Sequence, residues 1–201
     1  MDESIRINVD DTVLVEKCRE GSSSAMETLI IKYQNRIYNV ILKICGNPDD
    51  AVELTQDTFV KVIQNIDKFQ GKSSFYTWAF RIAVNLTLNR CKRKVKLEFK
   101  SLDKSRYPES EEAKKDLKSF LENKNVQDPA DITANRELTK IIISAVMQLE
   151  DDSRAVVVLR DIEGMNYQQI AKTLEIKLGT VKSRLSRARK TLREILEAAS
   201  Q

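Results

Sequence analysis

Apolar residues along this chain recur every three or four positions and almost nowhere alternate, which is the period of helices rather than strands. From Thr12, the residues Val13, Leu14 and Cys18 fall on one helical face, and Gly21-Ser22-Ser23-Ser24 supplies a stop followed by an N-cap. Between Ala25 and Ile44 a second helix carries Leu29, Ile30, Tyr33, Ile37, Ile41 and Ile44 as one broad stripe, and Gly46-Asn47-Pro48 ends it. Asp49 or Asp50 is expected to cap a third helix whose apolar face is Val52, Phe59, Val60, Ile63 and Ile66, with Glu53, Gln56, Asp57 and Lys61 opposite. That helix stops near Phe69-Gln70-Gly71. Ser73 or Ser74 then caps a fourth, which runs through Phe75-Tyr76-Thr77-Trp78 and ends in the basic cluster Arg90-Cys91-Lys92-Arg93-Lys94. Four such helices predict one bundle over residues 1–94.

The periodicity lapses between 95 and 135, where Lys, Glu, Ser, Asp and Asn prevail and Pro108 and Pro129 interrupt, so this stretch reads as a flexible linker. A helix around Glu111–Leu121, with Ala113, Leu117 and Leu121 four apart, would carry a stripe too thin for a core. As a coil, ~40 residues would average roughly 35 Å end to end and could span about 130 Å fully extended. The helical period returns from Arg136 with Leu138, Ile141, Ile142, Ala145, Val146 and Leu149. Asp151, Asp152 or Ser153 is expected to cap Arg154–Asp161, and Glu163-Gly164 to turn the chain into Asn166–Leu174, Ile176–Gly179 and Thr180–Leu196. The predicted class is therefore all-α, with two small helical domains, a four-helix bundle at 1–94 and a helix-turn-helix domain at 136–201, joined by the linker 95–135.

Composition agrees, since only 5 glycines and 3 prolines punctuate 201 residues. The net charge of +4 conceals an alternation: −3 over 1–79, +7 over 80–106, −3 over 107–135 and +3 over 136–201. Two basic zones separated by an acidic one suggest two regions that neutralise phosphates. Histidine is absent, which removes the commonest general base and metal ligand. Cys18, Cys45 and Cys91 form no close-spaced pair and read as buried thiols in a reducing compartment. With no Gly-rich phosphate loop and no metal-ligand cluster, neither an enzyme nor a bound cofactor or metal is expected. The N-terminus MDESIRINVDD lacks the features of a signal peptide, and no stretch approaches ~20 uncharged apolar residues. A soluble, cytoplasmic chain without direct membrane insertion is expected.

Two constellations carry the candidate chemistry. Asn166-Tyr167-Gln168-Gln169-Ile170-Ala171-Lys172-Thr173-Leu174 is a short helix with Ile170, Ala171 and Leu174 facing inward. After a tight turn, Thr180 is expected to cap a second helix with Val181 and Leu185 inward, which makes a helix-turn-helix. From Lys177 to Arg193 there are seven basic residues and no acidic one, so Thr180, Lys182, Ser183, Arg184, Ser186 and Arg187 are candidate groove contacts. The alternative is a solvated helix whose late cations complement its dipole. The second constellation is Ser73–Asn85, where four aromatics in six residues lead into a basic helix. Unpaired bases stack on aromatic rings for ~1–3 kcal/mol each while cations track the backbone. Against that, each of Phe75, Trp78 and Phe80 taken singly fits a core position.

With these motifs in this order, the sequence resembles the extracytoplasmic-function (ECF), sigma-E-like sigma factors of bacterial RNA polymerase, over about residues 12–94 and 136–197. Gly46–Ala51 with Glu53–Phe59 is similar to the family's polymerase-binding region, Ser73–Asn85 to its melting and minus-ten region, and Asn166–Arg189 to its minus-thirty-five reader. The resemblance implies that Asp50, Glu53, Leu54, Gln56, Asp57, Phe59, Lys61 and Gln64 dock on the coiled coil of the polymerase's largest subunit, with the flap as a further contact. It implies that Phe69, Gln70, Gly71, Lys72, Ser73 and Ser74 form the pocket for a base flipped from the non-template strand. Tyr76, Trp78, Arg81, Asn85 and Asn89, with Lys92 and Arg93, would line the path of the melted minus-ten element, and Gln168, Lys177 and Lys190 would join the minus-thirty-five set. Extruding a base costs a few kcal/mol, so such a domain is expected to act only with the enzyme. The linker's Glu109, Glu111 and Glu112 would lie in polymerase channels that later hold RNA. The family's usual inhibitor, an anti-sigma factor that is often membrane-anchored, is implied as a partner.

The rival reading is a stand-alone helix-turn-helix regulator that binds DNA through 136–201 and uses 1–94 to dimerise or to sense a signal. It leaves Asp49–Gln64 and Ser73–Asn85 without a purpose. An RNA-binding bundle using the aromatic-basic segment is a third reading, and it leaves the helix-turn-helix unexplained.

Overall fold

The structure, a computed structural model, describes residues 10–101 and 141–199, with side chains at 10–94 and 141–198. Glu109, Glu111, Glu112, the expected helix at Glu111–Leu121 and the start of the helix expected from Arg136 lie outside the described residues. Among the described residues every regular element is helical.

Helix α1, Asp11–Arg19, is capped by Asp10, whose carboxylate accepts from the Thr12 N–H at 3.1 Å. Ser22 caps α2, Ser23–Cys45, and Gly46 closes it in the left-handed conformation (φ 70°), donating its N–H to Leu42 O at 2.8 Å. Helix α3, Pro48–Asn65, is capped by Asn47 rather than by Asp49 or Asp50. The Asn47 side chain accepts from the Asp50 N–H at 2.9 Å, and Pro48 takes the first helical position, where its missing donor is harmless. A 3₁₀ turn, Ile66–Lys68, follows. Ser74 Oγ accepts from the Thr77 N–H at 3.1 Å to start α4, Phe75–Ser101. That helix passes the basic cluster where it was expected to end and continues into the stretch read as linker.

The first core gathers Leu14, Val15, Cys18, Leu29, Ile37, Ile41, Ala51, Leu54, Phe59, Val62, Phe75, Ala79 and Ala83. The phase of α3 differs from the expectation. Its buried residues are Ala51, Leu54, Thr58, Phe59 and Val62, whereas Val52, Val60 and Ile63 point outward, each about half exposed. A polar residue enters the buried row because Thr58 satisfies its own hydroxyl, donating to Leu54 O at 2.6 Å. Val13 likewise faces out, while Leu14 and Val15 face in.

Among the described residues the C-terminal module opens with α5, residues 141–147, followed by α6, Asp151–Val157, which continues into the π-helical turn Val158–Ile162. None of the expected caps operates on α6. It starts at Asp151 after Glu150, with no side-chain cap. Gly164 (φ 69°) turns the chain, and a capping box in which Asn166 and Gln169 exchange hydrogen bonds of 2.9 and 2.8 Å starts α7, Tyr167–Leu174. Helix α8, Leu178–Ala199, begins two residues earlier than expected, so Thr180 lies in its first turn instead of capping it.

The two modules share a second core. Val40, Ile44, Phe80, Val84 and Leu88 from α2 and α4 pack with Val146, Leu149, Val156, Leu159, Ile170, Val181 and Leu185. Phe80 and Val40 are fully buried there. Arg154 fastens the joint. Its guanidinium donates to Ile44 O across the modules at 2.7 Å and to Met147 O and Leu149 O within its own at 2.8 and 2.7 Å. Gly46 suits the close approach, since a Cβ on it would lie 3.0 Å from the Met147 sulfur.

Candidate polymerase and promoter interfaces

Helix α3 presents the first surface. Glu53, Gln56, Asp57, Lys61 and Gln64 are exposed, and Val52, Val60 and Ile63 lie among them. Leu54 and Phe59, implied as docking residues, are 4% and 6% exposed and serve as core beneath this face rather than as its contact surface. The three exposed apolar residues are what sequence reading missed: it assigned them inward because a valine at helical spacing normally faces the core. Asp50 is committed to α4, taking Arg90 Nε at 3.1 Å and Lys94 Nζ at 3.0 Å, while Arg90 also reaches Glu53. Burial alone would raise the Asp50 carboxyl, but Lys94 and Arg90 outweigh it and hold the group below the usual carboxylate range.

The second surface surrounds the loop between α3 and α4. Gln70, Lys72, Ser73 and Ser74 are exposed. Phe69 is instead buried, its ring 5.2 Å from Trp78 and 6.2 Å from Phe75, and its carbonyl accepts from Arg19 of α1. The loop therefore hangs from a fixed aromatic anchor. Beside it opens a cleft of about 1100 Å³ lined by Phe69, Gln70, Gly71, Ser73, Ser74 and Phe75 on one wall and by Asp10, Asp11, Thr12, Arg19 and Lys32 on the other. Phe75 and Phe80 are core residues, so only Tyr76 and Trp78 of the four aromatics keep partial exposure.

Further along α4, residues 81, 85, 89 and 92 fall at spacings of four, four and three, which places them on one face. Arg81, Asn89, Lys92 and Arg93 are exposed and Asn85 half-buried. Tyr76, in the first turn of the same helix, is covered: Arg36 lies 4.1 Å over its ring and its hydroxyl donates to Glu163 at 3.1 Å. Burial and the adjacent Glu163 carboxylate raise its phenol well above the ordinary range, so the proton stays on the donor.

The third surface is α8. Ile170 of α7 is buried in one cluster with Val181, Leu185 and Ala188, which sets the helix-turn-helix angle, and the small Ala171 is partly buried against that cluster. Leu174 is partly buried against that cluster as expected, and Thr173 beside it is buried. The turn between the helices uses Glu175 in the left-handed conformation (φ 55°), with its N–H on Ala171 O. Gln168, Lys177, Lys182, Ser183, Ser186, Arg187 and Lys190 are exposed and Thr180 is half-buried. Two of the seven cations are engaged elsewhere: Arg184 pairs with Asp152 at 3.0 Å and Arg189 with Asp161.

No described helix is long and apolar enough to cross a membrane. Comparison with known proteins accords with this geometry. Residues 29–96 match the family "Sigma-70 region 2" and residues 139–192 match "Sigma-70, region 4". The chain is 30% identical over 190 residues to the RNA polymerase sigma-H factor of Pseudomonas aeruginosa, covering 93% of this chain and 94% of that one. It is 29% identical over 185 residues to the ECF RNA polymerase sigma-E factor of Escherichia coli, covering 90% and 92%. Among solved structures, CnrH in complex with the cytosolic domain of CnrY is similar in fold, with a TM-score of 0.60 at 23% identity over 94% of this chain and 97% of that one. The sigma factor RpoE in complex with the anti-sigma factor NepR from Bartonella quintana has a TM-score of 0.61 at 21% identity, covering 85% and 96%. Two promoter-directed regions, matched in order on one helical chain, place this protein in the sigma-70 family of RNA polymerase sigma factors, as a member of its extracytoplasmic-function class.

Proposed function

We propose that 1–94 is the domain that grips core polymerase and melts the minus-ten element, that 95–135 is the linker, and that 136–201 reads the minus-thirty-five element. The observation that carries this division is the polar and basic row of α4, residues 81, 85, 89 and 92, running away from the cleft at the Gln70–Ser74 loop. A base leaving the duplex enters that cleft, with Phe69 and Phe75 as its apolar floor and Gln70, Ser73 and Ser74 supplying edge hydrogen bonds. Lys72 holds the adjoining phosphate. Tyr76, Trp78, Arg81, Asn85, Asn89, Lys92 and Arg93 guide the strand that follows.

The α3 face docks on the coiled coil of the polymerase's largest subunit. Val52, Val60 and Ile63 fill its apolar grooves, and Glu53, Gln56, Asp57, Lys61 and Gln64 form the polar rim. Asp50, Leu54 and Phe59 support that face from within, and the C-terminal module meets the flap. On DNA, Lys182, Ser183, Ser186 and Arg187, with Thr180 and Gln168 at the N-terminal end, reach base edges in the major groove, while Lys177 and Lys190 fix register on phosphates. Arg184 joins them once released from Asp152. The protein works in the cytoplasm, and an anti-sigma factor, often membrane-anchored in this class, holds it inactive. Capture of a structural neighbour with such a partner supports that expectation.

Reconstitution tests the proposal. The chain is expected to co-elute with core polymerase and to support initiation at discrete start sites on supercoiled DNA. Binding to duplex DNA without either property would favour the stand-alone regulator.

A further inference from the structure

Helix α1 carries none of the side chains proposed to touch polymerase or DNA, yet it forms one wall of the cleft beside the Gln70–Ser74 loop. Its 9 residues are too few to hold a helix in water by propensity, so tertiary contacts set its place. Leu14, Val15 and Cys18 enter the first core, and two polar ties fix the ends. Near the N-terminus one Asp11 oxygen takes Lys32 Nζ at 2.7 Å and the other takes the Tyr33 hydroxyl. The Tyr33 ring in turn lies 5.7 Å from Phe75 and 5.4 Å from Tyr76. At the C-terminus the Arg19 guanidinium donates to the Phe69 carbonyl, across 50 residues of chain.

That carbonyl is where the loop begins. The Phe69 N–H closes the 3₁₀ turn on Ile66 O at 3.1 Å, and its ring is packed against Trp78 and Phe75. Beyond it Gly71 takes the left-handed conformation (φ 70°) with open space around it, and the loop is next fixed at Ser74, the cap of α4. Because a peptide unit is planar, holding the Phe69 carbonyl also holds the Gln70 N–H, and with it the direction in which the loop leaves.

We propose that Arg19 is a positioning residue for capture of the flipped base: without touching DNA, it fixes the Phe69–Gln70 peptide against α1. Asp11 fixes α1 against the aromatic side chains behind the cleft, so the two walls are set at one width before a base arrives. The inference rests on the base-capture reading above. Its physical content is preorganisation, since a loop already ordered loses less freedom when it closes on a ligand. The charges of the cleft favour action through the loop over contact with a phosphate. Asp10, Asp11, Glu16 and Asp67 outnumber Arg19 and Lys32 along its lining, and both cations are engaged, by the Phe69 carbonyl and by Asp11.

The test uses holoenzyme reconstituted with the full chain as wild type, Arg19→Ala, Arg19→Lys or Lys17→Ala. The last is a control that removes one cation from an exposed position of the same helix. The probes are fork templates built on a promoter the wild-type holoenzyme uses, each with one non-template nucleotide of the minus-ten element replaced by an abasic sugar. With wild type one position should stand out, its missing base weakening binding about tenfold or more. At that position Arg19→Ala should cut the ratio of intact to abasic affinity about fivefold, the scale of one hydrogen bond from a charged donor. Binding of the abasic template, the salt slope and core-polymerase binding should stay as in wild type. Arg19→Lys keeps a charged donor and should restore at least part of the ratio, and Lys17→Ala should leave it unchanged. Equal loss on intact and abasic templates overturns the proposal, and a salt slope smaller by about 1 would then make Arg19 a phosphate contact. An unchanged ratio with Arg19→Ala overturns it too, leaving Arg19 a tie of α1 alone, as does an equal fall with Lys17→Ala. The base-capture reading fails separately, if no abasic position weakens binding by the wild-type holoenzyme.

Discussion

Arg90 of α4 donates from Nε to the Asp50 carboxylate of α3 at 3.1 Å, so the helix proposed to grip polymerase is tied to the helix proposed to hold the melted strand. Lys94 joins the same carboxylate at 3.0 Å. The carboxyl is held below its usual range, so the pair contributes fully above the unfolded value near ~4 and fades as pH falls through the lower folded value. Asp50→Asn is therefore expected to lose about 1 kcal/mol of stability at pH 7, with the deficit shrinking below about pH 4. Urea unfolding at both pH values checks it, and a deficit that grew in acid would contradict the assignment.

Val60 and Ile63 stand on the surface with apolar side chains about half exposed. Val60→Glu should leave stability within about 0.5 kcal/mol while weakening core-polymerase binding about tenfold or more. Competition for core against the unmodified chain reads this directly.

The exposed cations of α8 should act on phosphates in a countable way. Lys190→Ala is expected to weaken promoter binding by holoenzyme nearly uniformly across sequences and to reduce the salt slope by about 1. Arg184→Ala should weaken minus-thirty-five recognition more than polymerase binding. Equal loss of both would remove Arg184 from the reading set.

Two thiols, Cys91 buried and Cys45 partly buried, supply a fourth expectation. Burial lifts Cys45 to about 11 and, with the Asp151 carboxylate adding to it, Cys91 to about 12. At pH 8 about one molecule in a thousand or fewer carries a thiolate at either position, so alkylation of the native chain should run about a hundredfold slower than in denaturant. Fast native labelling of Cys91 would show that the joint between the modules is open.

The helices and both motifs were legible in the sequence because they rest on local physics: apolar spacing, with Ser22 and Ser74 as caps. What escaped was set by tertiary partners. The apolar face of α3 was misphased because Val52, Val60 and Ile63 copy a core pattern while facing out, and Thr58 enters the core by bonding its own helix. The cap of α3 fell to Asn47 because Pro48 claims the first helical position. Phe80 was recognised as a core candidate, but the joint it helps to build with the C-terminal module depends on pairs such as Tyr76–Glu163, 87 residues apart, which no periodicity encodes.

The most direct test of the central claim is start-site sequencing from a randomised promoter library transcribed by holoenzyme carrying wild type, Lys182→Ala or Asn85→Ala. With wild type the selected promoters should share two elements. Lys182→Ala should relax only the upstream one and Asn85→Ala only the downstream one. If both substitutions altered the same element, or neither altered any, the assignment of α8 and α4 to separate promoter elements would be wrong.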